Sequence, residues 1–460
     1  MSKKASLEYD PKTAWETYAS KKHVQAMDAM AARYVEFLSA CKTERLVMDH
    51  VRAKVAAAGF VEDLKGERVF RFNRNKTCFL ARKGRRPLSE GFRLVGAHAD
   101  CPRLDLKQRP LYEDTEICLA KTHYYGGIRK YQWLTIPLAL HGAVALKSGK
   151  EVTVRIGESP EDPVLTITDL LPHLAYKEIV KKVEDAFEAE KLNLVLGQSP
   201  VAVGKGDDKA KEPVKRHILE ILNKKYGIDE ADFFSAEMQA VPAGPARYVG
   251  LDRSLIGGYG HDDRSSVFCA LEALLAEPDP EYCQIVLFWD KEEIGSEGAT
   301  GAKSLFFEYC LEELAEAWEP GARLSRIFMN GSALSADVSA ALDPDHKDVY
   351  EPLNAAKLGY GPCFNKFTGH RGKVGANDAH PDFIGWLRRI LDDAGIPWQM
   401  SELGKVDMGG GGTVAKFLAV YGMDVIDVGV PVLSMHSPFE LASKADIYAT
   451  TLAFREFLKR

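Results

Sequence analysis

Apolar residues close to the N-terminus recur every three or four positions. This period is typical of an amphipathic helix, and it predicts helix across residues 12–58 with a stop at Gly59. Strands are predicted by the three short apolar runs that follow, at residues 69–72, 78–80 and 92–95.

The pattern changes after Leu106, and the alternation of strands and helices does not return before about Ala246. A polar stretch at 204–211 predicts a mobile loop, and a helix is predicted at 213–225. The other predicted elements of this stretch are short strands at residues 117–119, 133–137, 152–156 and 164–167. We therefore predict an inserted β-rich domain at 108–246, between the two parts of a main domain at 1–107 and 247–460.

Alternation resumes after the insertion. Helices are predicted at residues 265–275, 303–317, 383–394, 414–421 and 442–458. Strands are predicted at residues 284–289, 326–329, 398–401 and 425–428. Strand–helix alternation predicts an α/β fold with a mixed, mostly parallel sheet and helices on both faces. In such folds, active sites lie beyond the carboxyl ends of the strands.

Composition narrows the class of protein. A chain of 460 residues is long enough for two domains or for one domain with an insertion. A net charge of −6 argues against a nucleic-acid partner. The eight cysteines are scattered without a CxxC pair, which excludes a disulfide framework and a thiolate zinc site. The N-terminus lacks a signal-peptide apolar region and no run is long enough to span a bilayer, so we expect a cytoplasmic protein without a membrane partner.

Metal-type side chains stand at or just after several of the predicted strands. They are His98, Asp100, Asp262, Glu292, Glu293, Asp337 and His436. Two imidazoles with several carboxylates are the ligands that two divalent cations sharing one site require.

Each motif also has a simpler explanation. His98 and Asp100 share one face of an extended segment, where one can bind a metal and the other orient it, or both can satisfy backbone groups. A helix N-cap explains one of the two adjacent residues Asp262 and Asp263 but not both, and either could bridge two cations.

The remaining motifs leave similar alternatives. Glu292 and Glu293 could be a solvated turn, or one could bind a metal while its neighbour acts as general base. The apolar strand before them and the glycines after them favour the second interpretation. Asp337 could be a helix cap or a ligand, and His436 a core residue or a ligand.

Several segments in one order resemble the aminopeptidase I and aspartyl aminopeptidase family of co-catalytic zinc exopeptidases. The resemblance covers nearly the whole chain. It is carried by GAHADCPRLDLK from Gly96, YEDTEICLAKTHYYGGIRKYQW from Tyr112, HDDRSS from His261, DKEEIGSEGATGA from Asp290, SADVSAALDP from Ser335 and MHSPFE from Met435. KTHYYGGIRKYQW is closer to the aminopeptidase I branch, and the resemblance implies the zinc-exopeptidase type of α/β fold.

The resemblance implies a role for each residue of the site. Two zinc ions, with manganese or cobalt as other possible ions, would be held by His98, Asp262, Glu293, Asp337 and His436. Asp262 would bridge both ions, with Asp263 beside it at a position where the family often has Asn. Asp100 would orient His98, and Glu292 would be the general base.

Three further residues would contact substrate. His173 matches a family histidine that the inserted domain contributes to the active site of a neighbouring subunit. Gly409 lies in a glycine run that we expect close to the metals. That run could also suggest a nucleotide site, but no Lys completes a P-loop pattern. Asp343 replaces a histidine of the aspartyl-type members, and its charge should repel an acidic substrate residue.

We therefore expect a metallo-aminopeptidase that removes neutral or basic N-terminal residues from peptides. The alternatives are an aspartyl aminopeptidase with acidic preference, a related di-metal deacylase or carboxypeptidase, and a metal-free binding protein that keeps the fold. The resemblance further implies a homo-oligomer, typically a dodecamer.

Overall fold

A computed structural model describes residues 7–201, 211–276 and 279–460. The predicted loop at 204–211 lies outside the described residues except for Lys211. The chain divides into two compact units. The first contains the chain up to Asp100 together with Ala246–Met435 and Glu440–Arg460, and the second contains Cys101–Pro245 with His436–Phe439.

The helices of the described residues are α1 Ala14–Thr17, α2 Lys21–Ala40, α3 Glu44–Ala57, α4 Tyr176–Ile179, α5 Val183–Ala186, α6 Pro213–Tyr226, α7 His261–Ala276, α8 Phe306–Trp318, α9 Leu324–Met329, α10 Pro381–Asp393, α11 Ala415–Ala419 and α12 Lys444–Lys459. Side-chain caps define the starts of several of them. Ser20, Thr43 and Ser443 each accept a backbone N–H from the first turn of the helix that they precede. The helical stretch predicted at 12–58 is therefore divided, and a new helix starts after Thr43.

The strands of the described residues are β1 Arg68–Asn73, β2 Thr77–Arg82, β3 Phe92–His98, β4 Arg103–Asp114, β5 Ile117–Tyr125, β6 Leu138–Ala145, β7 Glu151–Ile156, β8 Leu194–Gly197, β9 Ala236–Pro242, β10 Arg247–Val249, β11 Leu255–Gly258, β12 Cys283–Trp289, β13 Ser332–Ala336, β14 Ser339–Ala340, β15 Cys363–Asn365, β16 Gln399–Met400, β17 Asp424–Gly429, β18 Pro431–Leu433 and β19 Glu440–Ser443.

The main sheet of the first unit has the strand order β1-β2-β12-β3-β13-β17-β15-β16. Its four central strands, β12, β3, β13 and β17, are parallel to one another. A second sheet in this unit has the order β10-β11-β19-β18-β14. The predicted α/β class with a mixed, mostly parallel sheet is confirmed.

Two apolar cores cover the two faces of the main sheet. On β3, Val95 and Ala97 belong to one core, whereas Phe92 and Leu94 belong to the other. Successive side chains of a strand point to opposite faces, so both faces of β3 are buried. This is why β3 is a nearly continuous apolar run in the sequence. Helices α2, α3, α7, α10 and α12 contribute to the first core, and α8, α9 and α11 to the second.

Three of the predicted strands are wrong. Residues 164–167 form only isolated β-bridges, of Leu165 with Leu138 and of Thr166 with Val195. Residues 326–329 lie in helix α9, because Ile327 and Phe328 both pack into the second core and Phe328 stacks on Tyr421 with ring centroids 4.2 Å apart. Tertiary packing thus outweighs the β propensity of these residues. Residues 133–137 form no strand either, since Thr135 has a φ of 58° that breaks an extended run, and β6 starts only at Leu138.

The second unit is built around one sheet with the order β7-β6-β9-β4-β5-β8. All its strand pairs are antiparallel. Among the described residues of both units, no helix has the length and apolarity that crossing a membrane requires.

Candidate active site

The candidate site is at the carboxyl ends of the parallel strands of the main sheet. His98 is the last residue of β3 and pairs with Trp289, the last residue of β12. Glu292 and Glu293 follow β12 in a short 3-10 turn, and Asp337 follows β13 directly. Parallel pairing brings these three strand ends to one edge of the sheet, which is why residues distant in sequence meet there.

The His98 ring is buried among carboxylates. Its Nε2 atom is 3.1 Å from Asp262 Oδ1 and 3.7 Å from Asp337 Oδ1. Its Nδ1 atom is 3.0 Å from the backbone oxygen of Asp100 and 3.4 Å from Asp100 Oδ1. Burial alone would lower the pKa of His98, but hydrogen bonds to Asp100, Asp262 and Asp337 outweigh it and raise the pKa well above its usual value.

Two overlapping groups of side chains bring potential metal-donor atoms close together. One consists of His98, Asp263 and Asp337, and the other of His98, Asp262 and Glu293. Within each group, one donor atom from every residue lies within 4.8 Å of the others. An imidazole with two carboxylates is a donor set that suits zinc.

The charge of this cluster also fits a bound cation. Burial raises the pKa of Asp263 well above its usual value, with the negative charges of Asp337 and Asp262 acting in the same direction and His98 opposing them. Carboxylates crowded together away from water repel one another, and divalent cations between them would remove that repulsion. The residues present therefore fit the zinc ions that the resemblance implies.

The Asp262–Asp263 pair is held by its backbone at the start of α7. The peptide bond between the two residues is cis, and their φ and ψ angles are not helical, so the regular helix starts only after Asp263. Glu440, which is buried at the start of β19, accepts the backbone N–H of Asp262 at 3.1 Å. Asp263 Oδ2 accepts the backbone N–H of His98 at 3.4 Å.

Glu440 was not predicted as a site residue, although it ends the quoted MHSPFE segment. Asp427 was also not predicted. It is buried on β17, where its strand partner on β13 is Ser335, two residues before Asp337. Burial raises the pKa of Asp427 to about 7, and the hydroxyls of Thr413 and Ser335 partly offset this effect, while the charge of Asp337 adds to it.

Asp100 connects the His98 segment to the two glutamates. Its Oδ1 and Oδ2 atoms accept the backbone N–H groups of Glu292 at 3.1 Å and Glu293 at 3.2 Å. Burial raises the pKa of Glu292 to about 8, with the nearby charge of Asp337 acting in the same direction. A carboxyl with a near-neutral pKa is suited to accept and return a proton.

The structure brings six of the predicted residues into this cluster, and Asp263 with them. The six are His98, Asp100, Asp262, Glu292, Glu293 and Asp337. His436 belongs by its contacts to the second unit, where its Nδ1 atom is 2.7 Å from the backbone oxygen of Gly127. Its assignment as a metal ligand stays a prediction.

The three predicted substrate residues lie in turns or loops. His173 is exposed in a turn of the second unit. Asp343 is half-buried in the first unit, and its Oδ1 atom accepts the backbone N–H of Asp345 at 2.9 Å. Gly409 packs so closely that a Cβ atom would lie 1.8 Å from the Leu403 carbonyl oxygen, and only glycine fits. Their roles toward substrate stay predictions.

Comparison with known proteins gives a single family. The profile of the aminopeptidase I zinc metalloprotease (M18) family matches residues 37–458. A protein of Clostridium acetobutylicum described as "Probable M18 family aminopeptidase 1" is 46% identical over 459 residues, which cover 97% of this chain and 98% of the relative.

Solved structures agree with the sequence matches. An M18-family aminopeptidase from Thermotoga maritima superimposes with a TM-score of 0.93 at 44% identity, covering 98% of this chain and 100% of the other. The mApe1 dodecamer of S. cerevisiae has the same fold, with a TM-score of 0.76 at 19% identity and coverage of 95% of this chain and 97% of the other.

Proposed function

Since this chain belongs to the aminopeptidase I zinc metalloprotease (M18) family and is a zinc aminopeptidase, we propose that it removes the N-terminal residue of peptides with two zinc ions and Glu292 as general base. The observation that carries the proposal is the buried convergence of one imidazole and several carboxylates at the strand ends.

The five ligands in this proposal are His98, Asp262, Glu293, Asp337 and His436. The first four are supported by the short distances around the His98 ring and by the two overlapping donor groups. Asp262 is the proposed bridge because it faces His98 Nε2 and belongs to the group with Glu293, while Asp263 supports the backbone of His98. His436 rests on the family resemblance.

When bound, the zinc ions would polarise the scissile carbonyl and make the attacking water more acidic. Glu292 accepts a proton from that water and returns it to the leaving amine. Its raised pKa and the anchoring of its backbone N–H by Asp100 support this role, because a base must hold the proton transiently and from a fixed position. Asp100 also keeps the His98 ring oriented through Nδ1.

The variant Glu292→Gln tests the base. We expect kcat to fall by about 10²–10⁴-fold while zinc stays bound, since the amide cannot accept the proton and the five ligands are intact. Glu297→Gln is the matched control, because Glu297 is an exposed glutamate of the same loop. Near-normal turnover of Glu292→Gln with full zinc content would exclude Glu292 as the base.

A second turnover measurement distinguishes an aminopeptidase from the related deacylase or carboxypeptidase. A peptide with a free amino group and its N-acetylated form are compared on the wild-type enzyme. Aminopeptidase action requires the acetylated form to be turned over far more slowly, because the free amine is part of what the site binds. Equal turnover would contradict the proposal.

For specificity, we propose a preference for neutral or basic N-terminal residues, with Asp343 as the residue that disfavours acidic ones. A carboxylate in the position that aspartyl-type members fill with histidine should repel a substrate carboxylate. Asp343 is only half-buried, which supports the access to substrate that this role needs.

We also propose a homo-oligomer in which His173 reaches a neighbouring subunit. Apolar side chains are exposed next to His173 in the second unit, with Leu174 at 65%, Tyr176 at 79% and Val180 at 77% exposure. Soluble proteins rarely leave such a cluster uncovered. The dodecameric fold relative supports the same assembly. Light scattering tests it, and a monomer at working concentration would contradict it.

A further inference from the structure

The turn that carries Glu292 and Glu293 is closed by the two residues that flank it. The backbone N–H of Asp290 donates to the Thr300 carbonyl at 3.2 Å, and the Thr300 hydroxyl donates to Asp290 Oδ2 at 2.8 Å. Both residues are buried, with 1% and 2% of their surface exposed. The segment between them is therefore a loop tied at its base by one backbone and one side-chain hydrogen bond.

Lys291 folds back onto this closure instead of extending into solvent. Its backbone is in the left-handed region with φ 71°, and its carbonyl accepts the Ser296 N–H at 2.7 Å. Its Nζ atom is 2.7 Å from Asp290 Oδ2 and 3.1 Å from the Thr300 hydroxyl. One lysine thus fixes the backbone turn immediately before Glu292 and binds both residues of the closure.

The closure is also attached to the rest of the first unit. Thr77 on β2 donates its hydroxyl to the Thr300 carbonyl at 2.5 Å. Lys76 Nζ lies 3.8 Å from Asp290 Oδ2 and 2.9 Å from Glu44, which is fully buried at the start of α3. Buried ion pairs of this kind contribute little net stability because desolvation opposes them. These contacts connect the closure to β2 and to the start of α3.

We infer that Asp290, Lys291 and Thr300 form a positioning triad, which fixes the turn so that Glu292 meets the attacking water and Glu293 meets its metal. The triad holds the turn from its base, while Asp100 holds it from the other side through the two backbone N–H groups. The inference rests on the proposed function, because it takes Glu292 as the base.

The Thr300 hydroxyl can be removed almost without changing side-chain shape. Thr300→Val deletes the hydrogen bonds to Asp290 and Lys291, Thr300→Ser restores the hydroxyl, and Lys291→Met removes the ammonium group while keeping the stem. Thr450→Val is the matched control, because Thr450 is fully buried in α12 and, among the described residues, its hydroxyl has no hydrogen-bond partner.

We expect Thr300→Val and Lys291→Met to lower kcat by about tenfold at saturating zinc with KM changed by less than about twofold, since a displaced base costs rate more than binding. Chelator competition should give a zinc dissociation constant raised by about 10-fold or more, because Glu293 shares the turn. Thr300→Ser should restore both values, and Thr450→Val should alter neither.

The inference is overturned if both Thr300→Val and Lys291→Met keep wild-type kcat and zinc affinity, or if Thr300→Ser is as impaired as Thr300→Val. Lys291→Met decides the outcome if Thr300→Val does not fold. Glu292→Gln in parallel separates the two hypotheses. If Glu292→Gln is inactive and the triad variants are normal, the positioning triad is refuted and the general base is not. If Glu292→Gln is active, Glu292 is not the base, and the zinc-affinity measurement alone tests the triad.

Discussion

Replacing Asp100 by alanine should weaken both the fold and the metal site. The Asp100 carboxylate is fully buried and accepts the backbone N–H groups of Glu292 and Glu293 at 3.1 and 3.2 Å. Each buried donor left without an acceptor costs about 1–3 kcal/mol, so two donors give about 2–6 kcal/mol. Loss of one negative charge from a crowded cluster offsets part of this, and we expect about 2–4 kcal/mol of lost stability.

The metal site should respond as well. Removing a partner of a ligating histidine lowers metal affinity by about 10–100-fold. Asp100 Oδ1 lies 3.4 Å from Nδ1 of the proposed ligand His98, but the Asp100 backbone oxygen is closer at 3.0 Å and is kept in Asp100→Ala, so we expect a loss of about 10-fold. The assays are urea unfolding in the presence of a chelator, which reports the backbone contribution, and competition with a zinc indicator, which reports affinity. Asp100→Asn should fall between wild type and Asp100→Ala, because one amide oxygen can still accept one of the two N–H groups.

Asp393→Ala is the control, since Asp393 is exposed at the end of α10 and should change neither quantity. The proposed connection between Asp100 and the glutamate turn would be refuted if Asp100→Ala had the same urea midpoint and the same zinc affinity as wild type. A loss of zinc affinity without any loss of stability would refute the hydrogen-bond magnitudes and leave only the orienting role toward His98.

Three further outcomes are expected. Gly429→Ala places a Cβ atom 1.7 Å from the backbone oxygen of Asp337, so the strand must move. Elemental analysis should then detect less zinc per subunit, and urea unfolding should show a loss of about 1–3 kcal/mol in the free energy of unfolding. Asp446 is buried, accepts two backbone N–H groups at 2.7 Å, and has a pKa raised by burial to about 7. From about pH 4 to pH 7, the Asp446 carboxyl is protonated in the folded protein and ionised in the unfolded chain, so folding becomes less favourable as pH rises. The difference in thermal midpoint between wild type and Asp446→Asn, with wild type the higher, should therefore decrease over this range. Asp343→Asn should raise kcat/KM for peptides with N-terminal Glu relative to Leu by about 10-fold in a substrate panel, and an unchanged ratio would exclude Asp343 from specificity.

The sequence predicts the part of the site that depends on strand ends. The strand that precedes Asp337, β13, is not among the predicted strands, because two of its five residues are serines. His98 and Glu292, in contrast, follow the predicted strands at 92–95 and 284–289, and parallel pairing of such strands brings their ends together. Their convergence could therefore be predicted before any coordinates. The sequence also predicts Asp100 on the same face as His98, because residues two apart on an extended segment share a face, and the two residues lie side by side in the structure.

What could not be predicted depends on contacts between elements that are distant in sequence. Glu440 supports Asp262 only because β19 and the start of α7 meet in space, and no local pattern encodes that meeting. Residues 326–329 were assigned to a strand because Ile and Phe favour strands in isolation, whereas the ring of Tyr421 stacks on Phe328 within a helix. His436 and His173 are assigned from resemblance alone.

The two apolar cores on the faces of the main sheet have a consequence for metal exchange. Strands β3 and β12 are covered on both sides, so their amide groups can become exposed to solvent only when the whole first unit unfolds. Part of the loop between Asp290 and Thr300 lacks such cover, since Glu297 and Gly298 are exposed. With Glu293 and His98 as the proposed ligands, zinc should therefore leave and enter when this loop opens transiently, at a rate set by the hydrogen bonds at its base, while His98 stays fixed until global unfolding.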